Sequence, residues 1–545
     1  MSVQDVITLG LERGWQVFSA RPDSEIDNAN RDFIKPVSAM TELEFDVIVI
    51  GTGAGGGTAA ETFAQQGLSV LMLEEGRLHS LKDFKMEELW SYGNLYQEAL
   101  ARTTEDAGIS IMQGRSVGGS TTVNWTSSFR TPEQTLRHWA NAHLVAQSSP
   151  GEMRSWFENR EQRLNISPWA GLPNENNAVL QRGCQALGWS TSLIPRNVLG
   201  CWNLGYCGFG CPTNAKQSML TTTIPAALDK GATLMTSVRA ERLVQVGDTI
   251  HGLVCHPVAV NHVVEQDREI LLKARHYVLA AGAIGSPAVL LRSGVSDPYE
   301  RAGKRTFLHP VVATIADMGK PVDPYYGAPQ SVYSDEFLWR DGVTGKMGYK
   351  LEVPPLHPSL SAGVIGLHGQ ELMDRMRMLP QMNSVLALLR DGFNDESQGG
   401  EVFLRDGGHP GLRYELNDYL WEGAKDAYLK MAEVQFAGGA RTVRLVHLDS
   451  NDYSSWSEAR AAIKAMPMAA QRTKLFSAHV MGGCAMGENA REAVVDTYGQ
   501  HHQVSNLSVM DGSVFPTSIG ANPQLSIYGL VYRNARRLAE RLTTA

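Results

Sequence analysis

The sequence predicts an α/β fold (α+β overall) with a second, mainly antiparallel domain, and three observations predict it. Residues 45–76 read as strand, glycine-rich turn, helix, strand and acid. Residues 270–287 read as another strand running into a small-residue turn. Between 307 and 469, short apolar runs are separated by Pro and Gly, the texture of an antiparallel sheet with added helices.

The first unit is the most explicit. Asp46-Val-Ile-Val-Ile50 is apolar and β-branched, as a buried parallel strand should be. It runs into Gly51-Thr-Gly53-Ala54-Gly55-Gly56-Gly57 and a helical pattern that Gly67 stops. Leu68 to Leu73 is the next strand, and Glu74 follows Gly51 by 23 residues. Gly51 allows the tight turn, Gly53 admits a pyrophosphate close to the backbone, and Gly56 lets helix and strand pack closely. The helix N-terminus offers N–H groups and a positive dipole end to phosphates. Glu74 sits where a carboxylate meets ribose hydroxyls and disfavours a 2′-phosphate. This is a Rossmann-like dinucleotide site, and the motif does not separate NAD from FAD.

Composition bounds the rest. At 545 residues the chain has room for two or more domains. Its 43% hydrophobic and 19% charged content is that of an ordinary water-soluble protein. A net charge of −8 argues against nucleic acid as a partner. No apolar run reaches the roughly 18 residues a spanning helix needs, so no transmembrane segment is expected. Residues 1–15 carry an early Asp5 and no basic start, and read as a short amphipathic helix rather than a secretion signal. A cytoplasmic chain is expected, with peripheral association at the inner membrane left open.

Along the chain, residues 15–44 are polar and contain Pro22 and Pro36, so an irregular surface segment is expected. The aromatic-bearing stretch 77–110 could cover a long cofactor. Gly114 to Trp125 is a second glycine-rich site, GRSVGGSTTVNW, whose mixed polar residues suit wrapping of a polyol or phosphate chain. Residues 139–187 read as mostly helical, and 232–246 as a strand. The runs 311–318, 348–353, 360–367 and 383–390 read as strands, 419–437 as a helix, and 525–542 as a final helix.

Four separated segments resemble the glucose–methanol–choline (GMC) family of FAD-dependent oxidoreductases. They are the fingerprint ending Leu73-Glu74-Glu75-Gly76, GRSVGGSTTVN at 114–124, GAIGSPAVLLRSGV at 282–295, and HVMGGCAMG at 479–487 with Val509-Met-Asp511-Gly512-Ser513 and Asn522-Pro523. Ser296 stands where the family pattern usually has Gly. The resemblance implies FAD rather than NAD. It implies an FAD-binding domain of discontinuous segments: 45–306, including a cysteine-containing loop at 200–220, and 470–545, which would carry the catalytic residues. Residues 307–469 would be the substrate-binding domain, preceded by an N-terminal helix and surface segment, 1–44. Cofactor contacts would come from Gly51, Gly53, Ala54, Gly55, Gly56, Glu74 and Glu75, and from Arg115, Gly118, Gly119, Ser120 and Asn124. Val238 would hold adenine by its backbone. Ala281, Gly282, Asp511, Gly512, Asn522 and Pro523 would complete the set.

The resemblance also places two side chains at the reacting end of the flavin, and these match His479 and Asn522, 43 positions apart. Alcohol oxidation needs the hydroxyl proton removed while a hydride leaves carbon. Imidazole has the right ordinary pKa for that base. Asn522 can orient the hydroxyl but cannot take the proton, which leaves His479 as the sole base. His501 and His502, in Gly-Gln-His-His-Gln, read as an exposed turn, and Cys484 as buried packing.

Cys201, Cys207 and Cys211 lie in CWNLGYCGFGCPTNAKQS, which resembles the CGxGCPxGxK segment of the family's long-chain alcohol oxidase and dehydrogenase branch, with Asn214 in place of Gly. The spacing admits an iron–sulfur cluster, but no fourth cysteine is near, so structural thiols or a disulfide are favoured. The expected activity is oxidation of a primary alcohol, long-chain aliphatic, to the aldehyde, with Leu360, Val364, Leu386 and Leu388 supplying an apolar channel. A sterol, sugar or aromatic alcohol is the rival substrate, and a non-redox flavoprotein the rival class. Oxygen, a quinone and a cytochrome all stay open as electron acceptor.

Overall fold

The computed structural model describes residues 4–21 and 30–544. The expectations for residues 1–3 and for the stretch around Pro22 lie outside the described residues.

The first sheet has nine strands among the described residues. At its centre Glu44–Ile50, Val70–Glu74 and Thr233–Thr236 run parallel, flanked on one side by Ile270–Leu279. Ile270–Leu279 pairs parallel with Glu44–Ile50 and, over Tyr277 to Leu279, with Leu507–Val509. Its first residues instead pair antiparallel with Thr249–Pro257, which in turn pairs with Val238–Val246. The expected single strand at 232–246 is two, broken at Ser237, whose φ is +54°.

Residues 16–19 correct the expectation of an irregular surface segment. Gln16–Ser19 is a strand that pairs parallel with Thr233–Thr236, and it is buried from Val17 to Ser19. The short helix Val6–Glu12 before it buries Ile7 and Leu11.

The helix Ala54–Gln65 lies on this sheet with Gln524–Thr544 beside it. Its glycines allow that closeness: a Cβ on Gly55 would sit 1.9 Å from the Met510 carbonyl oxygen, and one on Gly56 would sit 1.8 Å from that of Gly51.

The second sheet has eight strands, with Val311–Asp317, Met382–Leu389, Tyr349–Glu352 and Val332–Ser334 adjacent and antiparallel. Short strands from other parts of the chain, Ile109–Ile111, Ser192–Leu193 and Leu475–Ser477, join its margins. Its strands alternate cleanly, as a period of two requires. Val312, Ala316, Val385, Ala387 and Leu389 pack beneath the helix Asp418–Ala437, against Ala424, Ala427 and Met431. The opposite face carries Val311 opposite Leu388, Ala313 opposite Leu386 and Ile315 opposite Ser384, and this face lines a cavity.

Residues 360–367 are a second correction. They lie largely in a helix, Pro358–Ile365, with Pro at its first position and Gly366 closing it at φ +75°. A short apolar run cannot distinguish strand from helix by periodicity alone; here the Pro start and left-handed Gly stop decide it.

Candidate active site

The cavity holds about 800 Å³ and runs from Glu74 at one end to His479 and Asn522, continuing along the second sheet. The end nearest Glu74 is built from two glycine-rich loops. Gly53 caps the helix Ala54–Gln65, and Gly119, at φ +52°, approaches it so closely that a Cβ there would lie 2.7 Å from Gly53 Cα. Glu74 closes this end. Its Oε2 accepts from Thr52 Oγ1 at 2.6 Å and its Oε1 from the Gly76 N–H at 2.9 Å. Burial pushes its carboxyl up to about 6. Glu75 also feels burial, but Arg115 and Arg239 outweigh it and hold its pKa low. Arg115 lines the cavity, and its Nη2 is buried with no hydrogen-bond partner among the described residues, an orphan donor of the kind an anionic ligand completes.

Of the expected cofactor residues, Gly51, Gly53, Ala54, Gly55, Glu74, Glu75, Arg115, Gly119, Ser120, Asn124 and Val238 line this one cavity, as do Ala281, Gly282, Asp511, Gly512, Asn522 and Pro523. Gly56 and Gly118 stand behind the wall. Gly56 packs against Gly51, and the Gly118 N–H donates to Thr52 Oγ1 at 3.0 Å.

Asp511 is a structural tie. It accepts from the Gly282 N–H at 2.8 Å and from Ser286 Oγ at 2.6 Å, at the start of the helix Gly282–Ser293. A carboxylate there favours the helix dipole. Asn124 donates to Gln524 Oε1 at 2.7 Å, linking the second glycine-rich loop to the segment that bears Asn522.

At the other end, His479 follows the strand Leu475–Ser477 and lines the cavity. Its place deep in the molecule lowers its pKa to about 4, so the ring is neutral at ordinary pH. Its Nδ1 lies 3.1 Å from His309 Nδ1. Asn522 is buried and donates through Nδ2 to Glu352 Oε2 at 3.2 Å, leaving its Oδ1 without a partner among the described residues. The amide is thereby oriented. Burial raises Glu352 to about 7.

Three residues here escape the sequence reading. His309 is a lone histidine in Leu-His-Pro and carries no signal. Lys350 and Glu352 do carry one: two charges at i and i+2 inside an apolar strand share a face, and opposite them stand Leu388 and Leu386. Lys350 pairs with Asp335 and lies 4.0 Å from the Tyr333 ring centroid.

Leu360, Val364, Leu386 and Leu388 all line the cavity's far part, with Val311, Ile315 and Phe476. His501 corrects the expectation of an exposed turn. It is buried, its N–H donates to the Leu507 carbonyl at 2.9 Å, and its pKa is lowered by burial to about 4. Cys484 is fully buried.

The six cysteines are free thiols. Cys201, Cys207 and Cys211 border a small pocket with Arg196 and Lys216. Among the described residues no three His, Cys, Asp or Glu side chains gather as a metal site. The buried Lys216 holds the loop, its Nζ donating to the carbonyls of Thr122 at 2.6 Å, Asn124 at 3.0 Å and Cys207 at 2.8 Å. That staples the cysteine loop to the second glycine-rich loop. Among the described residues, no helix is long and apolar enough to cross a membrane.

Comparison with known proteins bears on this arrangement. Two family models, both described as GMC oxidoreductase, match residues 92–311 and 396–530. The chain is 28% identical over 527 residues to the long-chain-alcohol oxidase FAO4B of Arabidopsis thaliana, covering 92% of this chain and 68% of that one. It is 26% identical to the 6'''-hydroxyparomomycin C oxidase of Streptomyces lividus, covering 96% of each. Among solved structures, a formate oxidase of Aspergillus oryzae RIB40 superposes with a TM-score of 0.67 at 15% identity, covering 92% of this chain and 99% of that one.

Proposed function

The chain belongs to the GMC oxidoreductase family, and from that premise we propose that it oxidises a primary alcohol, long-chain aliphatic, to the aldehyde. It is an FAD-dependent oxidoreductase. The observation that carries the substrate reading is the apolar extension of the cavity, walled by Leu360, Val364, Leu386 and Leu388 beyond His479 and Asn522. The similarity to plant long-chain-alcohol oxidases supports it.

The residues fit the cofactor. The paired loops at Gly53 and Gly119, the acid at Glu74 and the orphan Arg115 donor would hold its dinucleotide end. FAD, when bound, supplies the hydride acceptor. The chain's own residues do the rest. His479, neutral at ordinary pH, takes the hydroxyl proton. Asn522, its amide fixed by Glu352, presents Oδ1 to orient the hydroxyl. The apolar wall seats the alkyl chain and keeps water away.

Anaerobic bleaching of the flavin by an alcohol series tests the reading. Each methylene that enters the channel should add about 0.8 kcal/mol, so kcat/KM should climb roughly fourfold per carbon until the channel is full. Val364→Trp should end that climb at shorter alcohols. Reduction by glucose or cholesterol with none by dodecanol would overturn the substrate class.

The pH dependence has a definite sign. His479 acts unprotonated, and burial holds its pKa at about 4. The reduction rate should therefore stay flat from neutral pH down to about 5 and fall only as pH passes through about 4. A fall centred near the ordinary histidine value of roughly 6.5 would show that the base is some other, more exposed group.

A further inference from the structure

A histidine can serve as base at Nε2 only if its proton sits on Nδ1, and something must hold it there. Among the described residues the hydrogen-bond partner of His479 Nδ1 is His309 Nδ1, at 3.1 Å, with the ring centroids 5.3 Å apart. Of these two nitrogens, one donates and the other accepts.

We infer that His309 is a positioning residue: its neutral Nδ1 accepts the Nδ1–H of His479, which keeps His479 Nε2 bare and open to the hydroxyl proton. The inference rests on the base role proposed above. When the hydroxyl O–H bond breaks, the proton goes to Nε2. The imidazolium so formed keeps its Nδ1–H on His309, where the bond becomes charge-assisted and stronger.

The surroundings of His309 suit this role. Its backbone N–H donates to Asp391 Oδ1 at 3.1 Å, the Leu308 N–H donates to Asp391 Oδ2 at 3.0 Å, and Tyr414 Oη donates to the same carboxylate at 2.7 Å. Ser477, two residues before His479, donates to the Leu308 carbonyl at 2.5 Å, so the two histidine-bearing segments are tied together. Burial and the nearby His479, Lys350 and Arg390 hold the His309 pKa well below its ordinary value. It stays an acceptor and does not compete for the proton.

The arrangement has a cost. It puts the single ring N–H of neutral His309 on Nε2, which is buried without a partner among the described residues. The reverse tautomer would leave only a lone pair there, but it would place a proton on His479 Nε2 and abolish the base. A buried orphan N–H at a reacting centre is the kind of exception that a functional demand explains.

Two substitutions and a spectrum test this. Asparagine can place Oδ1 near the His309 Nδ1 position and accept, so His309→Asn should reduce flavin within about threefold of the parent. His309→Leu cannot accept, and should fall roughly 10–100-fold with alcohol affinity little changed, less than a fully wrong tautomer costs. In ¹⁵N-histidine spectra of the holoenzyme, the His479 signals, identified by their loss in His479→Ala, should show a bare Nε2 in the parent and in His309→Asn, and a tautomer mixture in His309→Leu. A protonated Nε2 on His479 in the parent protein overturns the inference even if no variant folds. So does His309→Asn as impaired as His309→Leu, or His309→Leu at the parent rate beside an impaired His479→Ala. Near-normal reduction in His479→Ala would instead overturn the base role itself.

Discussion

Replacing His479 with alanine should leave a yellow, folded protein in which alcohol reduces the flavin about 10²–10⁴-fold more slowly, the usual contribution of a general base. The size of the effect follows from how little could stand in. Asn522 faces the same cavity but cannot accept a proton as a base. Glu352 is bonded to Asn522, and burial brings its pKa to about 7, yet it is engaged with Nδ2 and does not line the cavity. His309 is likewise off the cavity wall. Stopped-flow reduction under anaerobic conditions gives the rate, and flavin absorbance gives the cofactor content. Loss of flavin together with rate would mean that His479 holds the site together rather than moving a proton.

The other large effect is expected at Gly119. Its backbone has φ +52° and ψ −142°, which side-chain-bearing residues rarely adopt, and a Cβ would meet Gly53 Cα at 2.7 Å. Backbone cannot swing aside as a flexible side chain can. Gly119→Ala can relax only by parting the two loops, which is the geometry the dinucleotide requires closed. Holding alanine in such a conformation costs about 1–3 kcal/mol. If binding must restore it, affinity for FAD falls roughly 5–150-fold before the steric clash is counted. Flavin-to-protein ratio on purification and titration of the apoprotein measure this. Gly151→Ala, at a glycine where an added Cβ would meet nothing within 4 Å, is the matched control and should keep full flavin. Full occupancy in Gly119→Ala would remove the close loop approach as a requirement.

What can be read from the sequence is what is locally encoded. The turn from Ile50 through Gly51 into Ala54 needs glycine for its own backbone, so it shows itself within a few residues. The strand at Gln16–Ser19 does not, because four residues become a strand only through Thr233–Thr236, more than two hundred positions away. The run at 360–367 carries its answer in Pro358 and Gly366 rather than in its apolar residues. For the site, His479 and Asn522 are legible from a family pattern, while His309 is not. A single histidine becomes interpretable only when the sheet brings it to 3.1 Å from another. His501 misleads because its own polar neighbours show neither its burial nor the bond of its backbone N–H to the Leu507 carbonyl.

The contacts of Gly55 with Met510, of the helix Ala54–Gln65 with Gln524–Thr544, and of Ile270–Leu279 with Leu507–Val509 join segments separated by more than two hundred positions. On the ribosome, the glycine-rich loop emerges long before the residues that close its other side. The nucleotide-binding half must therefore wait, with apolar surface of its helix and sheet uncovered, until the last of these segments is released. Long-range closure of this kind slows folding and exposes intermediates to aggregation. Supply of the cofactor during refolding should then act late, once these distant segments have come together, rather than as a nucleus around which folding begins.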